Sequence, residues 1–92
     1  MEGFVMLNYF SASKKMEKKL SKGERCKAVL VNAPTKFSKY IGKEVKAYIF
    51  EDQLFLNCED HVIRTSEIEN KEPEGDILHV ITSNSEYALR VF

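Results

Sequence analysis

Three side chains near the middle of the chain could supply the groups for nucleophilic chemistry. Cys58, Asp60 and His61 provide a thiol, a carboxylate and an imidazole, which are the parts of a cysteine nucleophile with its general base. They stand together at the end of a predicted strand, without the spacing of a catalytic or metal-binding motif. The other histidine, His79, lies inside an alternating strand. The sequence therefore predicts that the protein is not an enzyme.

Motifs for metals and cofactors are not found in the sequence either. The acidic pairs Glu51–Asp52 and Glu59–Asp60 could form a carboxylate dyad, but each lies where a turn favours polar residues. Cys26 and Cys58 are too few for a disulfide framework and match no zinc spacing. The four glycines are scattered and form no phosphate-binding loop. We predict no metal and no cofactor, and two buried or half-buried free thiols.

Charge is divided unequally along a chain whose formal net charge is zero. Residues 1–46 carry ten lysines and one arginine against four glutamates, whereas residues 47–92 carry one lysine and two arginines against ten acidic residues. Such an asymmetry favours a charged partner. The alternative is that the two halves attract each other within the fold.

The basic half is one candidate surface, for nucleic acid. Its cations could neutralise phosphates, and Tyr9, Phe10, Phe37 and Tyr40 could stack on the bases of a single strand. The candidate residues are Lys14, Lys15, Lys18, Lys19, Lys22, Arg25 and Lys27. The alternative is a solvated, lysine-rich helix with aromatic residues in the core, since contacts that read sequence favour arginine.

The acidic half is the second candidate surface, for a protein partner. Acidic side chains gathered at turns and along one loop could dock on a basic groove of another protein. The candidate residues are Glu59, Asp60, Glu67, Glu69, Glu72, Glu74 and Asp76. The alternative is that these acidic residues only keep the protein soluble.

Alternating apolar residues predict the strands that must position both surfaces. The clearest piece is a hairpin over Glu44–Cys58, in which two period-two runs flank the polar residues 51–53. Further strands are predicted over 26–31, 61–68, 75–82 and 86–92, with a turn at 83–85. The acidic stretch Glu69–Asp76, which contains Pro73 and Gly75, is predicted to be a loop.

Two helical segments are predicted in the first half of the chain. Ser11–Lys22 has Met16 and Leu20 on one face and ends before Gly23, which suits a left-handed stop. Thr35–Ile41 reads as one or two helical turns that cover one end of a sheet. Met1–Phe10 is apolar and aromatic, and its periodicity fits a strand or the approach to a helix.

These elements predict one mainly β domain over residues 1–92, with a lead-in and basic helix over 1–23 and a β-rich core over 24–92. We expect a small antiparallel sheet of five or six strands that curls into an SH3-like or related barrel, with the N-terminal helix packed outside. An open sheet with both helices on one face is the alternative. The last strand could be an open edge that pairs two copies into a homodimer. No membrane span or signal peptide is recognised, and the expected location is the cytoplasm.

Two segments of the C-terminal part carry a resemblance. Residues 63–68, Ile-Arg-Thr-Ser-Glu-Ile, precede residues 81–89, Ile-Thr-Ser-Asn-Ser-Glu-Tyr-Ala-Leu, and the combination is similar to small uncharacterised β-rich proteins of phages and other mobile elements. The resemblance implies an accessory protein that inhibits or regulates host machinery by binding. The leading hypothesis is thus a non-catalytic module that engages a protein partner through its charged surface. A nucleic-acid-binding barrel and a small enzyme or ligand-binding protein are the alternatives.

Overall fold

Residues 11–92 are described by a computed structural model, in which strands outweigh helices. The predicted segment Met1–Phe10 lies outside these residues. The elements in chain order are helix α1 (Ala12–Ser21), strand β1 (Cys26–Asn32), a 3-10 helix (Thr35–Tyr40), and strands β2 (Glu44–Phe50), β3 (Gln53–Asn57), β4 (Val62–Glu74), β5 (Ile77–Thr82) and β6 (Glu86–Val91).

Each strand pairs antiparallel with the next, and β6 returns to pair with β1, so the sheet closes into a barrel. The predicted fold class is therefore confirmed, and the sheet is closed rather than open. Because β6 pairs with β5 on one side and β1 on the other, the prediction of an open edge at the last strand is wrong. The proposed route to a homodimer through that edge is lost with it.

The interior follows the period-two pattern of the sequence. Side chains at alternate positions point inward and form one core, which includes Leu30, Leu54, Leu56, Leu78 and Leu89. The predicted hairpin is present, but its turn has two residues, since Gln53 already pairs with Phe50. Glu51 and Asp52 have φ angles of 50° and 63°, the left-handed values that a two-residue hairpin turn of type I′ requires at both positions.

Strand β4 is longer than predicted, and the expected loop over Glu69–Asp76 is wrong. The first half of β4 pairs with β3 as far as Glu67, and the second half pairs with β5 from Ile68 to Glu74. Because the second half has a strand on one side only, Pro73 can lie within it even though its nitrogen donates no hydrogen bond. The turn is reduced to Gly75 and Asp76.

Helix α1 shares the core of the barrel. Met16 and Leu20 are buried in the same cluster as the inward-facing strand residues, and the helix contacts β1, β2, β4, β5 and β6. A helix that touches five strands of a closed sheet and reaches its interior must cover an opening of the barrel. Ser13 fixes the position, since its hydroxyl and its backbone N–H both donate to the Gly75 carbonyl, at 2.7 and 3.0 Å.

Sequence features at both helix ends explain where α1 begins and stops. The Ser11 hydroxyl accepts a hydrogen bond from the Lys14 N–H, as an N-cap side chain does. Gly23 adopts a φ of 83° after the last turn, where the left-handed region favours glycine. Within residues 11–92, no helix is long and apolar enough to cross a membrane.

Thr65 is a buried polar residue whose replacement tests the β3–β4 register. Its hydroxyl accepts from the Leu54 N–H at 3.0 Å and donates to the Ser66 carbonyl at 2.8 Å, where the register shifts. Thr65→Val keeps the shape but leaves the Leu54 N–H unpaired, so we expect the free energy of unfolding to fall by about 1–3 kcal/mol. Urea denaturation would measure the change. Thr35→Val, at an exposed position, is the control and should stay within about 0.5 kcal/mol of the parent; an equally small effect of Thr65→Val would contradict the prediction.

Candidate functional site

The outer surface of the barrel carries a row of aromatic and arginine side chains across β1 to β4. Tyr48 pairs with Phe55, and Phe55 pairs with Arg64 on the next strand. The two rings are stacked, with centroids 5.1 Å apart and planes 3° from parallel. Arg25, just before β1, places its guanidinium carbon 4.7 Å from the centroid of the Tyr48 ring. An arginine thus flanks the aromatic pair at each end.

A second row lies beside the first on the same surface. Lys27 pairs with Lys46, Lys46 with Asn57, and Asn57 with Val62. Both lysines are exposed, because the period-two pattern turns them away from Ala28, Val45 and Ala47 in the core. We call the combined surface the basic face and define it by Arg25, Lys27, Lys46, Tyr48, Phe55 and Arg64.

Phe50 extends the basic face beyond Tyr48. It stands two residues after Tyr48 on β2, so both side chains point outward, and 62% of its surface is exposed. An apolar ring this exposed has no role in the core. The basic face therefore combines four cations with aromatic rings on a rigid, continuously paired sheet.

A groove of about 1050 Å³ adjoins the basic face. Lys27 and Lys46 of the basic face line it, together with Asn57, which lies in the same row as these two lysines. The other lining residues are Lys39, Tyr40, Lys43, Glu44, Val45, Cys58, Glu59 and Asp60. The groove thus brings four lysines and three carboxylates together around one hollow.

Tyr40 and Asp60 form a hydrogen-bonded pair at the groove. The Tyr40 hydroxyl donates to the Asp60 Oδ1 at 3.0 Å. That bond is the main reason why the pKa of Asp60 is lowered, and it leaves the carboxylate ionised at neutral pH. Burial, together with the same hydrogen bond, raises the pKa of Tyr40. The ring of Tyr40 also stacks on His61, with centroids 6.1 Å apart.

The three residues considered for nucleophilic chemistry have separate partners. The Cys58 thiol donates to the Leu56 carbonyl at 3.7 Å, while Asp60 binds Tyr40 and His61 stacks on its ring. Burial and the nearby Asp60 carboxylate raise the pKa of Cys58, which favours the thiol over the nucleophilic thiolate. Cys58 is buried, Cys26 is partly buried, and both are free, as predicted. Among residues 11–92, no group of three or more potential ligands is placed to hold a metal ion.

The seven predicted nucleic-acid-binding residues fall into two groups. Lys14, Lys15, Lys18, Lys19 and Lys22 belong to α1 or its C-cap, where Lys14 lies 4.0 Å from Glu17 and the others point to solvent. Arg25 and Lys27 instead belong to the basic face. The aromatic residues predicted to stack on bases do not belong to the basic face. Tyr40 is buried and Phe37 packs against the core, while Tyr9 and Phe10 lie outside the described residues.

The seven predicted protein-binding residues also separate. Glu59 and Asp60 line the groove, whereas Glu67 and Glu69 lie near the middle of β4. Glu72, Glu74 and Asp76 are exposed together at the β4–β5 hairpin, where Glu74 Oε1 is 3.6 Å from His79 Nε2. We call these last three residues the acidic hairpin.

Sequence reasoning missed Lys46, Tyr48, Phe55 and Arg64. The sequence did contain a signal for them, since two aromatic residues occupy the outward positions of alternating strands, where polar residues are usual.

Comparison of the chain with family models, with curated proteins and with solved structures finds no match.

Proposed function

We propose that the protein binds single-stranded nucleic acid on the basic face. The observation that carries the proposal is the row in which Arg25, Tyr48, Phe55 and Arg64 lie side by side across neighbouring strands. Proteins that bind single strands combine positive charge along the backbone with aromatic side chains on which bases stack. Small barrels commonly present such residues on the outer surface of their strands.

The residues of the basic face have different roles in this proposal. Tyr48 lies between Arg25 and Phe55 and contacts both side chains. Its ring therefore holds these two neighbours in position, and it has no free face on which a base could stack. The remaining side of Phe55 faces the Arg64 position, and a base could insert there between a ring and a guanidinium plane. Phe50 provides a second exposed ring. Lys27 and Lys46 lie in the next row, where they could contact the phosphates.

A second candidate function rests on the acidic hairpin. Glu72, Glu74 and Asp76 are exposed at the β4–β5 turn and could dock on a basic groove of a partner protein. The resemblance to accessory proteins of mobile elements supports a regulator of this kind. The basic face is the better supported site, because it adds aromatic rings and a defined geometry to its charge.

Fluorescence anisotropy with labelled single-stranded RNA and DNA tests the proposal. If four cations contact phosphates, raising the salt from about 50 to 200 mM should weaken binding roughly 50-fold. Duplex DNA of the same sequence is the control, since its bases are not free to stack, and it should bind more weakly. Absence of binding at the lower salt, or binding that is insensitive to salt, would refute the proposal and turn attention to the acidic hairpin.

A further inference from the structure

The groove continues the basic face but has a different chemical character. Lys27 and Lys46 belong to both, so a strand that crosses the basic face along its lysine row reaches the groove directly. Pockets that hold small organic ligands measure roughly 300–1,000 Å³. At about 1050 Å³, the groove has room for a sugar with its phosphate and base.

The charged groups of the groove are only partly engaged with one another: Lys39 helps to lower the pKa of Asp60, and its ammonium lies 5.1 Å from the centroid of the Tyr40 ring. Among residues 11–92, the ion pairs are Lys14–Glu17 and His79–Glu74, and neither belongs to the groove. Lys39, Lys43, Lys27 and Lys46 therefore retain donors for a ligand, and Glu44 and Glu59 are exposed with acceptors to spare. One oxygen of Asp60 accepts from Tyr40, which leaves its other oxygen for a further donor.

A groove of this kind fits a ligand that offers both acceptors and donors. Phosphate oxygens accept hydrogen bonds from lysines, whereas ionised carboxylates only accept and would repel a phosphate. Along a nucleic-acid backbone, the donor that can satisfy a carboxylate next to a phosphate is the 2′-hydroxyl of ribose. DNA has no hydroxyl at this position. A bound DNA strand would therefore bring its phosphates close to the carboxylates without offering them a hydrogen-bond donor.

We propose that the groove binds a ribose–phosphate unit and makes the protein prefer single-stranded RNA to DNA of the same base sequence. Lysines of the groove hold the phosphate, and a carboxylate of Glu44 or Glu59 accepts the single hydrogen bond that the ribose 2′-hydroxyl can donate. This inference rests on the proposed function, since the basic face supplies the common affinity for both kinds of strand.

Oligouridylate and oligodeoxyuridylate of equal length test it, because they differ only in the 2′-hydroxyl. We expect the RNA to bind about tenfold more tightly at the same salt, the effect of a hydrogen bond to a charged acceptor. Glu44→Ala with Glu59→Ala should bring the two affinities together and preserve binding. Glu69→Ala with Glu86→Ala removes the same charge at two exposed positions outside the groove and should leave the RNA preference unchanged.

The outcomes separate the two proposals. Equal affinity of the parent protein for both oligonucleotides would overturn the groove assignment and leave binding on the basic face intact. Loss of the preference in the control variant as well would show a general charge effect and would also overturn it. Failure to bind either oligonucleotide would refute both proposals.

Discussion

Replacing Leu20 with alanine is expected to lower the free energy of unfolding by about 2–5 kcal/mol, the usual range for a fully buried leucine. Leu20 has no exposed surface and lies in the core cluster together with Leu54 and Leu89. A domain of this size has a total stability of roughly 5–14 kcal/mol, so the substitution would remove a large share of it. Urea denaturation followed by circular dichroism would measure the loss.

The neighbouring position provides the matched control for this experiment. Lys19 is exposed on the same helix turn, and Lys19→Ala should change the free energy of unfolding by no more than about 0.5 kcal/mol. If Leu20→Ala were equally mild, or if the helix melted in a separate earlier transition, α1 would not belong to the barrel core.

Reversing two charges on the basic face should have the largest effect on nucleic-acid binding. Arg25→Glu with Lys46→Glu removes two phosphate contacts and introduces repulsion, so we expect single strands to bind roughly two orders of magnitude more weakly at about 50 mM salt. Both side chains are exposed, and the fold should therefore be retained. Anisotropy titrations measure the affinity, and circular dichroism checks the structure.

The lysines of α1 allow a control with the same change of net charge. Lys15 and Lys18 are exposed on the helix and do not belong to the basic face, so their replacement by glutamate should weaken binding only a few-fold through the long-range field. An equal loss in both variants would contradict a defined site. A greater loss in the helix variant would place the site on the lysine-rich helix α1 instead.

The strands were predictable where alternation was unbroken. The Glu44–Cys58 hairpin and the helix around Met16 and Leu20 follow directly from apolar spacing. The second half of β4 was not predictable, because residues 69–74 are acidic, contain a proline and show no alternation of apolar and polar residues. That segment is a strand because β5 pairs with it on one side. The local sequence of residues 69–74 does not show that β5 will be its partner.

The functional surface was harder to predict than the fold for a related reason. Alternation identifies Tyr48 and Phe55 as outward-facing, but only the register brings Arg25 and Arg64 beside them. The count of charges along the chain favoured the helix, where lysines are dense in sequence. The charge count also separated the chain into a basic and an acidic half. In the closed sheet, however, Arg64 from the acidic half lies on the basic face.

Closure of the barrel through β1 and β6 also sets the order in which the chain can fold. The β1–β6 pairs join Ala28 to Val91 and Leu30 to Leu89, and Ser13 is held by Gly75, 62 residues further along. Contacts this distant require large loops to close before they contribute any stability, which slows folding toward the millisecond-to-second range. A nascent chain that has emerged only as far as β5 still lacks the strand that seals its core. Until β6 is made, the apolar faces of α1 and β1 stay without their final partners and open to association with other chains.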